Sequence, residues 1–587
     1  MVMFIITSQQ VLDIIQPEFL IIGGITTPGH IIQTIIILKP TKLLITHIII
    51  RGIDIIGMVI GVGGIKYIFD NQYIEDKNIL GWFMGVRHNC GWCVAPTLHD
   101  TYRIIKDLEH RGREAGGMFA VSHLRNRIDA VKWVGPIGDV FDLDGLNDFF
   151  ESLIPVREYD YFGAHNRYAT RGRKDLVLYD AHPHIIAGPD TIVEDHGIFM
   201  TMENVDGAIV HNGQVDEVFL SGIDESLLTT DCDSERLLRY LVNHGPEQLI
   251  RNVPGTYTLA AVSKENCKVG DIVIARDRFG VRPGYHAMKD GAVIAGSEDW
   301  ALKKNGANRI FGNLHPGTIY SVSSNGKFSK GKVLPDEERK GCVFEMLYIA
   351  NEESTLDEVT VGRVRAQMGR QMAKEIKLPG VQFVTYVPRC PRAAAVALAH
   401  EWGVESVQAF MKTQKRRSFM GPDEVERSDS IKSNLHLLRK NAELLRGKIV
   451  ALIDDSIVRG NNIKYAIKLL NEVGVQKIHV LSYSPRIGIY DEFGRPSGCV
   501  DGTDMPPLDN FVSVNRKERR NRTLEEISRE IGAEVHYLSL EGMFKALENS
   551  GVRDPRDNMC YRCMGGPIIF GGVERKIQLT VSANGNI

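Results

Sequence analysis

Residues 452–462 read LIDDSIVRGNN, and no other stretch limits the possible folds as tightly. An apolar run, KIVALI (448–453), leads into two adjacent carboxylates, Asp454 and Asp455, and then a short turn holding a hydroxyl and a glycine. The spacing predicts a strand, a turn and then a helix from near Asn462. Ile463, Ala466, Ile467 and Leu470 fall at i, i+3, i+4 and i+7, and Gly474 supplies the stop. Paired Asp at the end of an apolar strand is costly to bury without a ligand. The turn and the helix start offer backbone N–H groups and the positive end of a helix dipole, which suits the phosphate of a sugar phosphate. Asp454 and Asp455 can take ribose hydroxyls or Mg²⁺, and Gly460 lets the backbone approach the ligand closely.

The same alternation continues around this run. A helix is predicted at 359–376, a strand at 381–388, a helix at 391–403, and strands at 477–485 and 533–540. Strands alternating with helices imply a parallel α/β sheet, whose ligands sit at the carboxyl ends of its strands. A chain of 587 residues should hold several domains, because single cores rarely exceed roughly 250–300 residues. A net charge of −3 gives no reason to expect a nucleic-acid partner. Nine widely spaced cysteines favour thiols or metal ligands in a reducing, cytoplasmic compartment over a disulfide framework.

A different set of motifs precedes this half. CGWC (90–93) is followed by an amphipathic helix carrying Leu98, Tyr102, Ile105 and Leu108, which ends in HRGREAGG (110–117). GAHNRYATRG (163–172), AIVHNGQVDE (208–217) and TTDCDSERLL (229–238) come next, with IARDRFGVRPGY (274–285) and AGSEDWAL (295–302) as closing phrases. In this order they resemble class II glutamine amidotransferases, whose nucleophile is an N-terminal Cys. The resemblance implies that Cys90 attacks the glutamine amide, with its own α-amine as base; such an amine titrates near pH 7.7–8.0 in model compounds. It implies an oxyanion hole from Asn212 and Gly213, with Arg167 on the α-carboxylate, Asp233 on the α-amino group and Arg111 in the glutamine pocket.

LIDDSIVRGNN resembles the phosphoribosyl-diphosphate (PRPP) loop of type I phosphoribosyltransferases. An amidotransferase joined to that loop resembles amidophosphoribosyltransferases over roughly 90–570. The implied fold is an α+β N-terminal nucleophile (Ntn) amidotransferase sandwich followed by an α/β parallel-sheet phosphoribosyltransferase domain. The implied reaction makes 5-phosphoribosylamine from PRPP, glutamine and water, opening purine biosynthesis. PRPP would sit on Asp454, Asp455, Ser456, Ile457, Val458, Arg459, Gly460, Asn461 and Asn462. In the basic stretch KTQKRRSF (412–419), which resembles the family's lid, Lys412 and Arg417 would join them. Mg²⁺ would be held by Ser418, Asp454 and Asp455. Purine nucleotide inhibitors and a homo-oligomer, dimer or tetramer, are family expectations.

CYRC (560–563) alone suits a zinc half-site, free thiols or part of an iron–sulfur site. With Cys342 and Cys499, Cys560 and Cys563 match the four ligands of a [4Fe–4S] cluster in the iron–sulfur members of the family. Two departures stand out. The loop ends in Asn461 and Asn462 where relatives carry Thr-Thr, and Arg389-Cys390 stands where they carry Asp-Ser. These leave open a non-catalytic PRPP- or nucleotide-binding regulator, or a glutaminase serving another phosphosugar acceptor. The expected domains are 90–335 and 336–570, with a tail at 571–587. Residues 1–89 form an Ile-rich extension or pro-segment, in which Phe19–Leu38 lacks any charge and Met84 is an alternative start.

Overall fold

A computed structural model describes residues 90–570 apart from 169–176, 216–218, 221, 325, 336–338, 413–434, 500–504 and 508–509, together with four short strands between 19 and 59. Arg417, Ser418 and the tail 571–587 lie outside the described residues. The chain divides into two compact units, Met1–Met84 and Gly85–Ile587. In the first, Phe19–Ile22 pairs antiparallel with Ile35–Leu38, and Leu44–Ile50 with Ile53–Val59. The ends of the uncharged stretch are therefore strands. Among the described residues no helix is long and apolar enough to cross a membrane.

In the second unit, the segment up to Lys332 forms two large sheets, one of nine strands and one of seven. Strand alternation fills the layers. On Gly91–Ala95, Trp92 and Val94 face the other sheet, while Cys93 and Ala95 face the opposite core. Ala208, Val210, Ala260 and Val262 meet Trp92 from the seven-stranded sheet. The outer face of that sheet is covered by Asp233–Asn252, which is interrupted at Gly245 and Pro246. The helix Leu98–Asp107 packs on the outer face of the nine-stranded sheet and buries Leu98, Tyr102 and Ile105, as their spacing predicts. Helices outside two face-packed sheets give the four-layer amidotransferase sandwich. Within the phrase AGSEDWAL the strand Ala292–Gly296 gives way to a helix, Asp299–Lys304.

The later segment holds a five-stranded, wholly parallel sheet in the order Glu405–Ser406, Phe383–Tyr386, Ile449–Asp454, Lys477–Ser482, Glu534–Tyr537. Ile478 and Val480 enter one core and Leu481 the other, so both faces are covered. The helix after the paired carboxylates runs Asn461–Val473 and buries Ile463, Ala466, Ile467 and Leu470. Its N-cap Gly460 and C-cap Gly474 both take positive φ. The Asp pair thus reaches the carboxyl edge of the central strand.

Candidate active site

Cys90 is fully buried at the head of the Gly91–Ala95 strand. Its N–H donates to Asn212 Oδ1 at 3.1 Å. Asn212 lies on Gly207–Val215, in register with Thr258 of the neighbouring strand. Its Nδ2 is buried and makes no hydrogen bond, so an unused donor stands on the side chain that accepts from Cys90 N–H. Gly213 has φ 154°, and a Cβ there would stand 1.9 Å from Thr256 O. The Gly213→Ala variant should therefore lose about 1–3 kcal/mol of stability, seen as a lower urea midpoint, together with its glutaminase activity.

Burial pushes the Cys90 thiol up to about 12, against the opposing pull of Tyr168 N–H, Arg167, Arg111 and Arg282. A neutral thiol in this setting needs a base. Arg167 is 1% exposed and donates to Asp180 Oδ2 (3.2 Å) and Val177 O (3.3 Å). Asp233, in the first turn of its helix, accepts from Val215 N–H at 2.9 Å, which leaves carboxylate lone pairs for an ammonium group.

Arg111, expected from sequence in the glutamine pocket, contacts Cys90 and two buried carboxylates. Nε donates to Cys90 O (2.9 Å), Nη1 to Glu298 Oε1 (2.6 Å) and Glu345 Oε2 (3.0 Å), and Nη2 to Glu345 Oε1 (2.8 Å). Arg282 Nη1 reaches the same Glu345 oxygen at 3.2 Å. Glu298 also accepts from His110 Nε2, Asn351 N and Ser354 Oγ. Burial opposes ionisation of Glu298, but His110, Arg111 and Ser354 outweigh it and hold its carboxyl well below the usual range. Cys90 is thus tied through buried charges to the chain segment that begins the second half. Sequence reading missed Glu298, Glu345 and Arg282. The available signal was the lone carboxylate inside the apolar run VFEMLYIA (343–350), which a core accepts only with a paired cation.

The second constellation lies around Asp454 and Asp455, which are 6% and 7% exposed. Burial, then the neighbouring Asp455 charge, raise the Asp454 carboxyl well above its ordinary value, while Lys412 opposes the shift. Asp455 N–H donates to Asp454 Oδ1 (3.0 Å) and Ser456 Oγ to Asp455 Oδ1 (2.7 Å). Ile457 and Val458 turn their side chains into two cores, so only their backbone can face a ligand. Gly460 takes φ 82°, and a Cβ there would lie 2.5 Å from Ile531. Lys412, from the antiparallel pair Phe410–Lys412 and Leu435–Leu437, lines the same pocket as the loop from Asp454 to Asn462.

Beside this pocket lies a cleft of about 430 Å³. Asp455, Lys412 and Tyr348 border both. Arg389, Cys390 and His110 line the cleft as well. His110 comes from the turn whose next residue holds Cys90 O, so the cleft is bordered by a residue next in sequence to a neighbour of Cys90 as well as by the Asp-Asp loop. The Pro388–Arg389 peptide is cis. Cys390 Sγ donates to Tyr348 O at 3.2 Å.

A third constellation gathers the four cysteines. Gly341–Cys342 pairs parallel with Met559–Cys560, placing Cys342 opposite Cys560. Cys563 follows on the turn Arg562–Met564. Burial pushes the Cys342 thiol up to about 12, and Arg282 offsets part of the rise while Cys499 adds to it. Burial also raises Cys563 far above the thiol range, reinforced by Cys342 and Cys499. None of the nine cysteines is in a disulfide.

Residues 200–314 match the family described as the glutamine amidotransferase domain. The amidophosphoribosyltransferase of Archaeoglobus fulgidus is 27% identical over 499 residues, covering 82% of this chain and 96% of that protein. The amidophosphoribosyltransferase of Mycobacterium leprae is 28% identical and covers 82% of each chain. The solved glutamine PRPP amidotransferase from B. subtilis, complexed with ADP and GMP, matches with a TM-score of 0.64 at 23% identity, covering 82% of this chain and 97% of that one. Along most of its length the chain is thus similar to amidophosphoribosyltransferases, and it carries a buried thiol pocket and an Asp-Asp loop at the sheet edge.

Proposed function

We propose that the chain makes 5-phosphoribosylamine from PRPP, glutamine and water, releasing glutamate and pyrophosphate, the first step of purine biosynthesis. The observation that carries this reading is the cleft that His110 of the thiol half shares with Asp455 and Lys412 of the loop half. Cys90 takes the glutamyl group as a thioester, with Asn212 Nδ2 and Gly213 N–H receiving the oxyanion. Arg167 and Asp233 hold the amino-acid end. Ammonia passes along the cleft beside His110 to the ribose C1. The loop from Ser456 to Asn462 holds the 5′-phosphate, and Asp454 and Asp455 hold the ribose hydroxyls.

The donor chemistry fits Mg²⁺ on Asp454 and Asp455, with Ser418 as a further oxygen. Bound there, the ion neutralises the leaving pyrophosphate. Lys412 and Arg417 contribute positive charge to the same anion. The thiols of Cys342 and Cys499, half-buried, and of Cys560 and Cys563, buried, with Arg282 beside the first two, fit a [4Fe–4S] cluster that would pin the C-terminal segment to residue 342. The domain limits of 90–335 and 336–570 follow the change from two large sheets to one parallel sheet. A cytoplasmic setting accords with nine free thiols. By analogy with the B. subtilis complex, purine nucleotides are candidate ligands, and a homo-oligomer is the expected assembly.

The test mixes anaerobically purified protein with glutamine, PRPP and Mg²⁺ and measures glutamate and pyrophosphate, with N-terminal mass analysis of the same sample. PRPP-dependent release of both products is expected. Glutamate without pyrophosphate would point to another acceptor, and neither product from protein beginning at Cys90 would overturn the enzyme. Asp454→Asn should lower PRPP-dependent turnover by roughly 10²-fold or more. Because it removes one of two buried like charges, it should also raise the thermal midpoint. A structural role alone would lower both.

A further inference from the structure

The outermost strand of the parallel sheet, Glu534–Tyr537, carries a cluster unrelated to the reaction. Glu534 lies directly opposite His479 of Lys477–Ser482, and His536 lies opposite Leu481, two residues further on. Period-2 alternation puts His479, Glu534 and His536 on one face of the sheet. His479 Nδ1 stands 3.3 Å from Glu534 Oε2, and His536 Nε2 stands 3.4 Å from Glu534 Oε1. Neither nitrogen makes a hydrogen bond, although both are buried atoms, and His479 as a whole is only 5% exposed. One ligand atom from each residue lies within 4.8 Å of the other two.

Two imidazole nitrogens thus aim at a carboxylate without hydrogen-bonding it. Ligands about 2.0–2.2 Å from a tetrahedral zinc ion lie roughly 3.3–3.5 Å from one another, and each imidazole nitrogen stands that far from a different oxygen of Glu534, so the carboxylate lies between the two rings. We propose that His479, Glu534 and His536 form a site for a divalent transition ion of the zinc class, which clips the outermost strand to its neighbour. Lys477 Nζ, 3.1 Å from Glu534 Oε2, is the competing cation. Its side chain is half exposed and can swing into water, so coordination replaces a weak surface pair. Three protein ligands leave a fourth position for water, on the side where Glu534 meets solvent. The ion would be structural, because Asp454 and Asp455 lie at the carboxyl edge of the sheet while His479 lies near the start of its strand.

The test measures zinc bound per full-length chain after equilibration with Zn²⁺, for the unaltered protein, Glu534→Gln and His536→Asn. Both substituted residues are partly exposed, so the variants should fold. Zinc held by cysteines is common to all three proteins and cancels. The unaltered protein should hold one more zinc than either variant, whose affinity at this site should fall at least about tenfold. Zinc should also raise the melting temperature of the unaltered protein alone. Equal zinc in all three would overturn the site, and a zinc difference without a thermal shift would overturn the clip.

Discussion

Replacing Cys90 by alanine is expected to cut glutamine-dependent product formation by at least about 10³-fold, while turnover with ammonium salts persists. The Cys90 residue stands beside Asn212, whose Nδ2 has no partner, and the loop proposed to hold PRPP lies elsewhere in the unit. A companion measurement addresses the base. Burial pushes the thiol up to about 12, so it stays protonated at neutral pH, and three nearby guanidiniums do not reverse that. A free α-amine, which titrates near 7.7–8.0 in model compounds, is the base that would take the proton from Cys90. Protein retaining residues 1–89 should therefore lose about 10²–10⁴-fold in glutamine hydrolysis relative to protein beginning at Cys90, with ammonia-dependent turnover unaffected. Equal glutaminase activity in the two forms, each verified by mass, would remove the amine from the mechanism.

Glu345→Ala should destabilise the protein by about 3–5 kcal/mol, read as a shift of the urea midpoint. Glu345 is 1% exposed and receives both Arg111 and Arg282, which are themselves buried. Without it, two guanidiniums remain in the core with one fewer counter-charge. Because Arg111 also holds Cys90 O, the change should reach catalysis. Glutamine hydrolysis should fall out of step with pyrophosphate release, giving more than one glutamate per pyrophosphate. Glu345→Gln keeps an acceptor and should cost less on both measures. Loss of stability with one-to-one products would leave Glu345 a purely structural residue.

The two constellations differ in how far sequence exposed them. The Asp-Asp loop was legible because its parts are contiguous. The strand, turn and helix lie within 448–474, and the apolar spacing of Ile463, Ala466, Ile467 and Leu470 names the buried face. The amidotransferase motifs were legible by order alone, since Cys90, Arg167, Asn212 and Asp233 stand on separate elements.

Sequence by itself determined the alternation of elements, the covered faces and the residue types of each site, because periodicity and turn chemistry act locally. Only the tertiary structure decided that Arg111 grips Cys90 O and Glu345, that His110 borders the cleft with Asp455, and that His479 meets Glu534 and His536. The two Arg111 contacts join residues 21 and 234 positions apart. Their strength comes from burial, which lowers the local dielectric and makes each unpaired charge costly, and burial is a property of the packed chain.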